Sequence, residues 1–161
     1  MQKIINPWLH KEGYNCFGCA PENPIGLHMH FYEEGDKIVS FWQPQEQFQG
    51  WVGTLHGGII STLIDETAGW VVSRKLQTAG MTSRLNVSFR KPIASDDPQL
   101  IIKAWITARK RNFVEIHVTV ENNQQEICAE ADVTYYAMGE EKASEMGFLH
   151  CDVEEEQLFP F

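Results

Sequence analysis

Long apolar runs are missing from this 161-residue sequence: no stretch approaches the roughly 20 residues that span a bilayer, so no membrane partner is expected. Positive charge is scarce too. Lys and Arg number 13 against 22 Asp and Glu, and the formal charge of -9 opposes binding to nucleic acid without a concentrated basic patch. Internal repeats, low-complexity linkers and composition shifts are absent, which leaves one domain as the expectation. Met1 to Lys11 lacks the apolar core of a secretory signal, so a cytoplasmic location is expected. Cysteine is confined to Cys16, Cys19, Cys128 and Cys151, and without an export signal these read as reduced thiols rather than a disulfide framework. The remainder, 43% hydrophobic and 22% charged, has the proportions of a globular domain. A chain of this length buries roughly two-thirds of its unfolded surface and needs no staple to hold a core.

Only Cys16-Phe17-Gly18-Cys19 has metal-like spacing. Two thiolates with His28 and His30, or with a second subunit, would complete a tetrahedral zinc shell. That ligand set is incomplete, and Asn15 to Pro24 is dense in Gly, Pro and Asn, so a tight loop entering a strand is favoured and no metal or other cofactor is expected.

Periodicity organises the rest. Leu27 to Phe31 and Lys37 to Trp42 alternate around Glu33-Glu34-Gly35-Asp36 and predict a hairpin. From His56 to about Leu76 there is no proline, and Ile59, Ile60, Leu63, Ile64, Ala68, Val71 and Val72 recur at spacings of three and four. This predicts a long helix, apolar over more than one stripe and therefore nearly surrounded by protein. After it the period becomes two: Leu85, Val87 and Phe89; Ile102 to Ala108; Val114 to Val120; Ile127 to Tyr135. Clean alternation with short turns implies an antiparallel sheet with one packed face, against which the helix must lie. Gly139 to Phe161 is acidic, and predicts an appended helix or a frayed tail.

Two features mark a site. Gly57 and Gly58 fall in the first turn of the helix, where each costs up to about 1 kcal/mol relative to Ala. Their bare backbone would let a ligand oxygen reach the free N–H groups at the positive helix end, a suitable place for a developing oxyanion, while close packing against a strand would also explain them. Asp65 interrupts the apolar pattern of a buried helix, so its carboxylate should be paired, at a cleft, or catalytic. It follows Gly57 by eight residues, roughly 12 Å along the axis at 1.5 Å per residue. Catalytic contacts need about 3 Å, so one acyl group cannot use both residues of a single helix. Joint action requires two antiparallel copies, an isologous dimer with paired sites.

The residues His56-Gly57-Gly58, then Leu63-Ile64-Asp65, then Met81-Thr82-Ser83-Arg84-Leu85-Asn86-Val87-Ser88-Phe89-Arg90-Lys91-Pro92-Ile93 resemble the hotdog-fold thioesterases of the phenylacetic-acid-degradation (PaaI-like) group. Asn15-Cys16-Phe17-Gly18-Cys19 with Asn23-Pro24-x-Gly26-Leu27 resembles an N-terminal signature of the same group. The resemblance covers about Asn15 to Met138 and implies an α+β hotdog fold, an antiparallel sheet wrapped around a long central helix; the domain is expected over residues 1–138, with 139–161 as an acidic C-terminal extension. It also implies a homodimer or homotetramer and hydrolysis of acyl-CoA. Asp65 would be the general base or nucleophile, the Gly57 amide the oxyanion donor, His56 a support for the carbonyl or its loop, and Thr82 a positioner of water. Where several relatives carry an Asn before His-Gly-Gly, this chain has Gln49-Gly50-Trp51. Glu66 lies on another helical face from Asp65. Gly58 is expected in the ligand-binding set because of its bare backbone, and Arg84, Arg90 and Arg109, from a segment holding seven of the 13 basic residues, are candidates for the CoA phosphates. Trp51, Trp70 and Phe48 suit an acyl tunnel, or more simply the core or a dimer contact. A non-catalytic acyl-ligand-binding protein on the same fold is the main alternative. A hydratase of this architecture would want a His a few residues after the acid, and positions 66–76 contain none.

Overall fold

A computed structural model describes residues 1–157. Strand β1 (Gln2–Ile4) is followed by the hairpin β2 (Tyr32–Glu34) and β3 (Lys37–Trp42), then helix α1 (Gly57–Lys75). Four long strands come next, β4 (Gly80–Phe89), β5 (Leu100–Lys110), β6 (Phe113–Glu121) and β7 (Ile127–Ala137), and the described chain closes with α2 (Glu140–Glu145) and β8 (Val153–Gln157). All eight strands join one antiparallel sheet in the order β4-β7-β6-β5-β3-β2-β1-β8. This is the α+β hotdog arrangement: α1 packs against β3 to β7 and the sheet folds around it.

The helix runs where its sequence pattern predicts. His56 caps its start, and Arg74 and Lys75 sit in its last turn, where cations complement the helix dipole. Leu63, Ile64, Ala68, Val71 and Val72 are fully buried and meet Ile102, Ala104, Ile116, Val118 and Val133 from alternating positions of the sheet. Gly58, Thr62, Asp65 and Gly69 are less buried and form a stripe at spacings of four, three and four. Glu33 ties β2 to the helix end, accepting from Arg74 Nη2 at 2.9 Å and also from Lys75 Nζ.

Two expectations are corrected. The first arm of the hairpin is Tyr32–Glu34 rather than Leu27–Phe31, and Glu33 and Glu34, expected in the turn, belong to the strand. Residues 27–31 keep the alternation, with Leu27, Met29 and Phe31 buried, but His28 has φ +51° and breaks the strand. The acidic C-terminal segment does hold an appended helix, the short α2, but its described residues go further: Phe148 and Cys151 are buried and β8 pairs with β1. Its Leu158, Phe159 and Phe161 lie outside the described residues. The four cysteines are free thiols, and among the described residues no helix is long and apolar enough to cross a membrane.

β4 is an edge strand of ten residues, yet Met81 and Phe89 on it are 59% and 56% exposed. A long apolar edge is a template for another chain.

Candidate active site

The loop before α1 is closed by Gln49, whose Oε1 accepts from the Gly53 N–H at 3.0 Å, and the His56 N–H donates to Phe48 O at 3.0 Å. His56 is thereby delivered to the cap position with extended backbone, and its Nδ1 accepts from the Gly58 N–H at 2.8 Å. In the neutral ring this leaves the proton on Nε2. A Cβ at residue 58 would stand 3.0 Å from that Nδ1, so Gly58 is a glycine to admit the capping ring, and its amide is already engaged. Gly57 differs. A Cβ there would meet only the Phe89 ring, at the ordinary contact distances of 3.5 and 3.6 Å. Nothing within the described chain demands a glycine at 57, and the Gly57 N–H has no acceptor among the described residues. The free donor and the positive helix end coincide.

Asp65 lies two turns further along. Thr82 Oγ1 donates to its Oδ1 at 2.7 Å, and the Tyr135 hydroxyl is 2.9 Å from the same oxygen and 2.8 Å from the Asp65 carbonyl. Thr82 and Tyr135 face each other across β4 and β7, immediately before a bulge at Ser83. The phenol reaches the helix because residue 69, one turn beyond Asp65, is glycine: a Cβ there would sit 3.0 Å from the Tyr135 oxygen. Tyr135 is 5% exposed, and burial, then the charge of Asp65, push its phenol well above the ordinary range, so it remains a neutral donor. Both donors converge on Oδ1. Oδ2 has no donor among the described residues and is left with its lone pairs free.

Periodicity shows Tyr135 only as one inward residue of an alternating strand. The available signal was its type: a tyrosine on the packed face needs a partner for its hydroxyl.

Other candidates separate. Glu66 points away from Thr82 and accepts from Trp70 Nε1 at 3.1 Å. Trp70 is a core residue stacked on Phe31 at 4.5 Å, and half-buried Phe48 packs on Trp42. Trp51 is in no core: it and Val52 are 85% and 95% exposed at the loop tip, beside a hollow shared with His56 and Gly57. Arg84 and Arg90 alternate with the helix-facing residues of β4 and project from the opposite face, Arg84 Nη2 standing 3.5 Å from Thr134 Oγ1 and Arg90 pairing with Glu130 at 2.7 Å. Arg109 is exposed at the end of β5, three strands from Thr82 in the same cross-sheet row, with Nε donating to Arg111 O at 3.1 Å. Within one chain none of the three arginines joins Asp65.

A protein of hotdog architecture with a carboxylate poised at mid-helix and a free amide at the helix start is thus defined, and comparison with known proteins agrees on the architecture. Residues 52–129, which include α1, β4, β5 and β6, match the model of the thioesterase superfamily. The rat acyl-coenzyme A thioesterase THEM4 is 41% identical over 64 residues, 39% of this chain and 27% of that protein. The match therefore spans about a quarter of the curated relative's length. Among solved structures, a hypothetical thioesterase from Streptococcus pneumoniae with coenzyme A shares the fold at TM-score 0.64 and 24% identity, covering 69% of this chain and 86% of that one. The Escherichia coli PaaI protein from the phenylacetic acid degradation operon aligns at TM-score 0.64 and 18% identity, covering 70% and 81%.

Proposed function

We propose that this protein hydrolyses acyl-CoA thioesters at sites completed by a second copy of the chain. The observation that carries the reading is the bare Oδ2 of Asp65, held by two donors on its other oxygen. The superfamily match and the rat relative's name support the reaction class, and the coenzyme A in the streptococcal structure supports the substrate class.

Asp65 and the unspent Gly57 amide stand roughly 12 Å apart on one helix, too far to share an acyl group. A second α1 laid antiparallel along the Gly58–Thr62–Asp65–Gly69 stripe would bring the partner subunit's Gly57 to this chain's Asp65, once for each half of the dimer. The exposed apolar edge of β4 and the Trp51-Val52 tip favour such a partner.

In that site Asp65 Oδ2 takes a proton from water, and the hydroxide attacks the thioester carbon. The carbonyl oxygen becomes an oxyanion and accepts from the partner subunit's Gly57 N–H. Collapse breaks the C–S bond, and the CoA sulfur takes the proton from Asp65, leaving a carboxylic acid and free CoA. In the other route through the same oxygen, Oδ2 attacks the carbon itself and water then opens the anhydride. Labelled oxygen from water enters Asp65 in a single turnover only by the second route.

Hydrolysis of short, long and aromatic acyl-CoAs, with Asp65→Ala in parallel, tests the proposal. Wild-type turnover lost in the variant with its oligomer intact is the expected result. Tight acyl-CoA binding without turnover on any substrate would replace this reading with a ligand-binding protein.

A further inference from the structure

Glu66, next to Asp65 on α1, turns its carboxylate toward the loop of Cys16 and Cys19. The two sulfurs and a carboxylate oxygen lie within 4.8 Å of one another, with Cys16 Sγ 3.5 Å from both Oε1 and Oε2. The approach is built in: with Glu66 in place, a Cβ on Gly18 would fall 2.5 Å from the carboxylate. Backbone bonds hold the loop, from Ala20 N to Cys16 O at 3.1 Å and from Met29 N to Gly18 O at 2.9 Å.

Three acidic groups thus gather at a helix, and no Lys, Arg or His among the described residues forms an ion pair with Glu66. Polar groups of the surrounding residues reach the cluster. Asn6 Nδ2 donates to the Tyr14 oxygen at 3.0 Å, the Tyr14 hydroxyl and Cys19 Sγ are hydrogen-bonded at 2.8 Å, and Trp70 Nε1 donates to Glu66 Oε1. Such outer partners fix and charge metal ligands. A cavity of about 210 Å³, lined in part by Trp8, Tyr14, Trp70 and Tyr135, adjoins the cluster and has room for solvent.

We propose that Cys16, Cys19 and Glu66 bind one zinc ion or a similar thiolate-preferring divalent cation, with water from the cavity in the fourth position. Sulfur and carboxylate oxygen are both ordinary zinc ligands, and three protein ligands with water form the open type of site. Binding releases the two thiol protons to solvent. The ion staples the loop to the middle of α1, beside the residue whose partner Tyr135 lines the same cavity. His28 and His30, the completion suggested by spacing, are not in the cluster, and His28 Nε2 instead bonds Asn23 O. The inference is independent of the thioesterase reading.

The test is a cobalt titration of the full chain, purified without metal-affinity resin, stripped by chelator and reduced. Expected is one equivalent bound, with tetrahedral d–d bands and a thiolate-to-cobalt charge-transfer band sized for two sulfurs, bleached by one equivalent of zinc. Cys16→Ser and Cys19→Ser should each lose half or more of that band, the paired Cys128→Ser and Cys151→Ser variant none, and Glu66→Gln should weaken binding about 10-fold or more. The wild-type titration stands whether or not a variant folds. No band with all four thiols shown reduced overturns the proposal, as does a band that survives loss of both Cys16 and Cys19, or a Cys16–Cys19 disulfide recovered from cells alkylated at harvest.

Discussion

Tyr135→Phe removes one hydroxyl and leaves the ring in place. The change opens no sizeable cavity, since Gly69 and Gly80 already accommodate the ring and Phe keeps its shape. Asp65 Oδ1 would retain only the Thr82 hydroxyl, at 2.7 Å, and the carboxylate would be free to rotate away from its productive setting. A hydrogen bond to a charged group is worth about 1.5–3 kcal/mol, and at about 1.4 kcal/mol per factor of ten the expected fall in kcat is roughly 10- to 100-fold. KM should change little, because the hydroxyl faces Asp65 rather than an incoming acyl-CoA. Thr82→Val should act in the same direction, and the double variant should fall by less than the product of the two, since both hydroxyls hold one oxygen. Steady-state kinetics on the preferred substrate, with thermal unfolding as the control for fold, measures this. A folded Tyr135→Phe enzyme with wild-type kcat would refute the role assigned to the buried hydroxyl.

Replacing His56 by Ala strips the cap from α1, with an expected loss of about 0.5–2 kcal/mol in chemical denaturation. Gly57→Ala should leave stability unchanged or raise it by up to about 1 kcal/mol while lowering kcat/KM, because only a ligand or partner makes close approach at that position. Glu33→Gln unpairs Arg74 and Lys75, at about 1–3 kcal/mol near neutral pH. Burial alone would raise the Glu33 carboxyl, but Lys75 and Arg74 outweigh it and hold it below the usual range. The advantage of wild type over Glu33→Gln is therefore full above the ordinary glutamate range and shrinks as pH falls through the lower folded value, which urea midpoints across acid pH would show. Lysine at both Met81 and Phe89 should halve the sedimenting mass and abolish turnover together.

Much of this fold is legible in the sequence because the decisive signals are local. A proline-free run with apolar residues at spacings of three and four, ending near glycine, marks α1, and sixty residues of alternation mark the four long strands. β1 and β8 are not legible: they are three and five residues long, and their pairing rests on contacts between the two ends of the described chain. His28 misleads for a related reason, since alternation of burial survives a left-handed residue. The site divides along the same line. Asp65 and Gly57 stand out as exceptions to the helix pattern and His56 through the family resemblance, whereas Tyr135 and Glu66 do not. Their roles depend on which side chain the sheet and the N-terminal loop bring opposite them, and Gly69 and Gly18 carry meaning only once those neighbours are placed.

The proposed shared site is tested most directly by subunit mixing. Asp65→Ala and Gly57→Val homodimers should each be inactive, one lacking its carboxylate and the other blocked at the helix start. Co-expressed chains form mixed dimers in which one site combines Asp65 of one subunit with Gly57 of the other, both native. Recovery of about a quarter of wild-type acyl-CoA hydrolysis is expected from random assortment, since half the dimers are mixed and each has one intact site of two. A mixture of confirmed heterodimers with no more activity than its parents would contradict a site built from two chains.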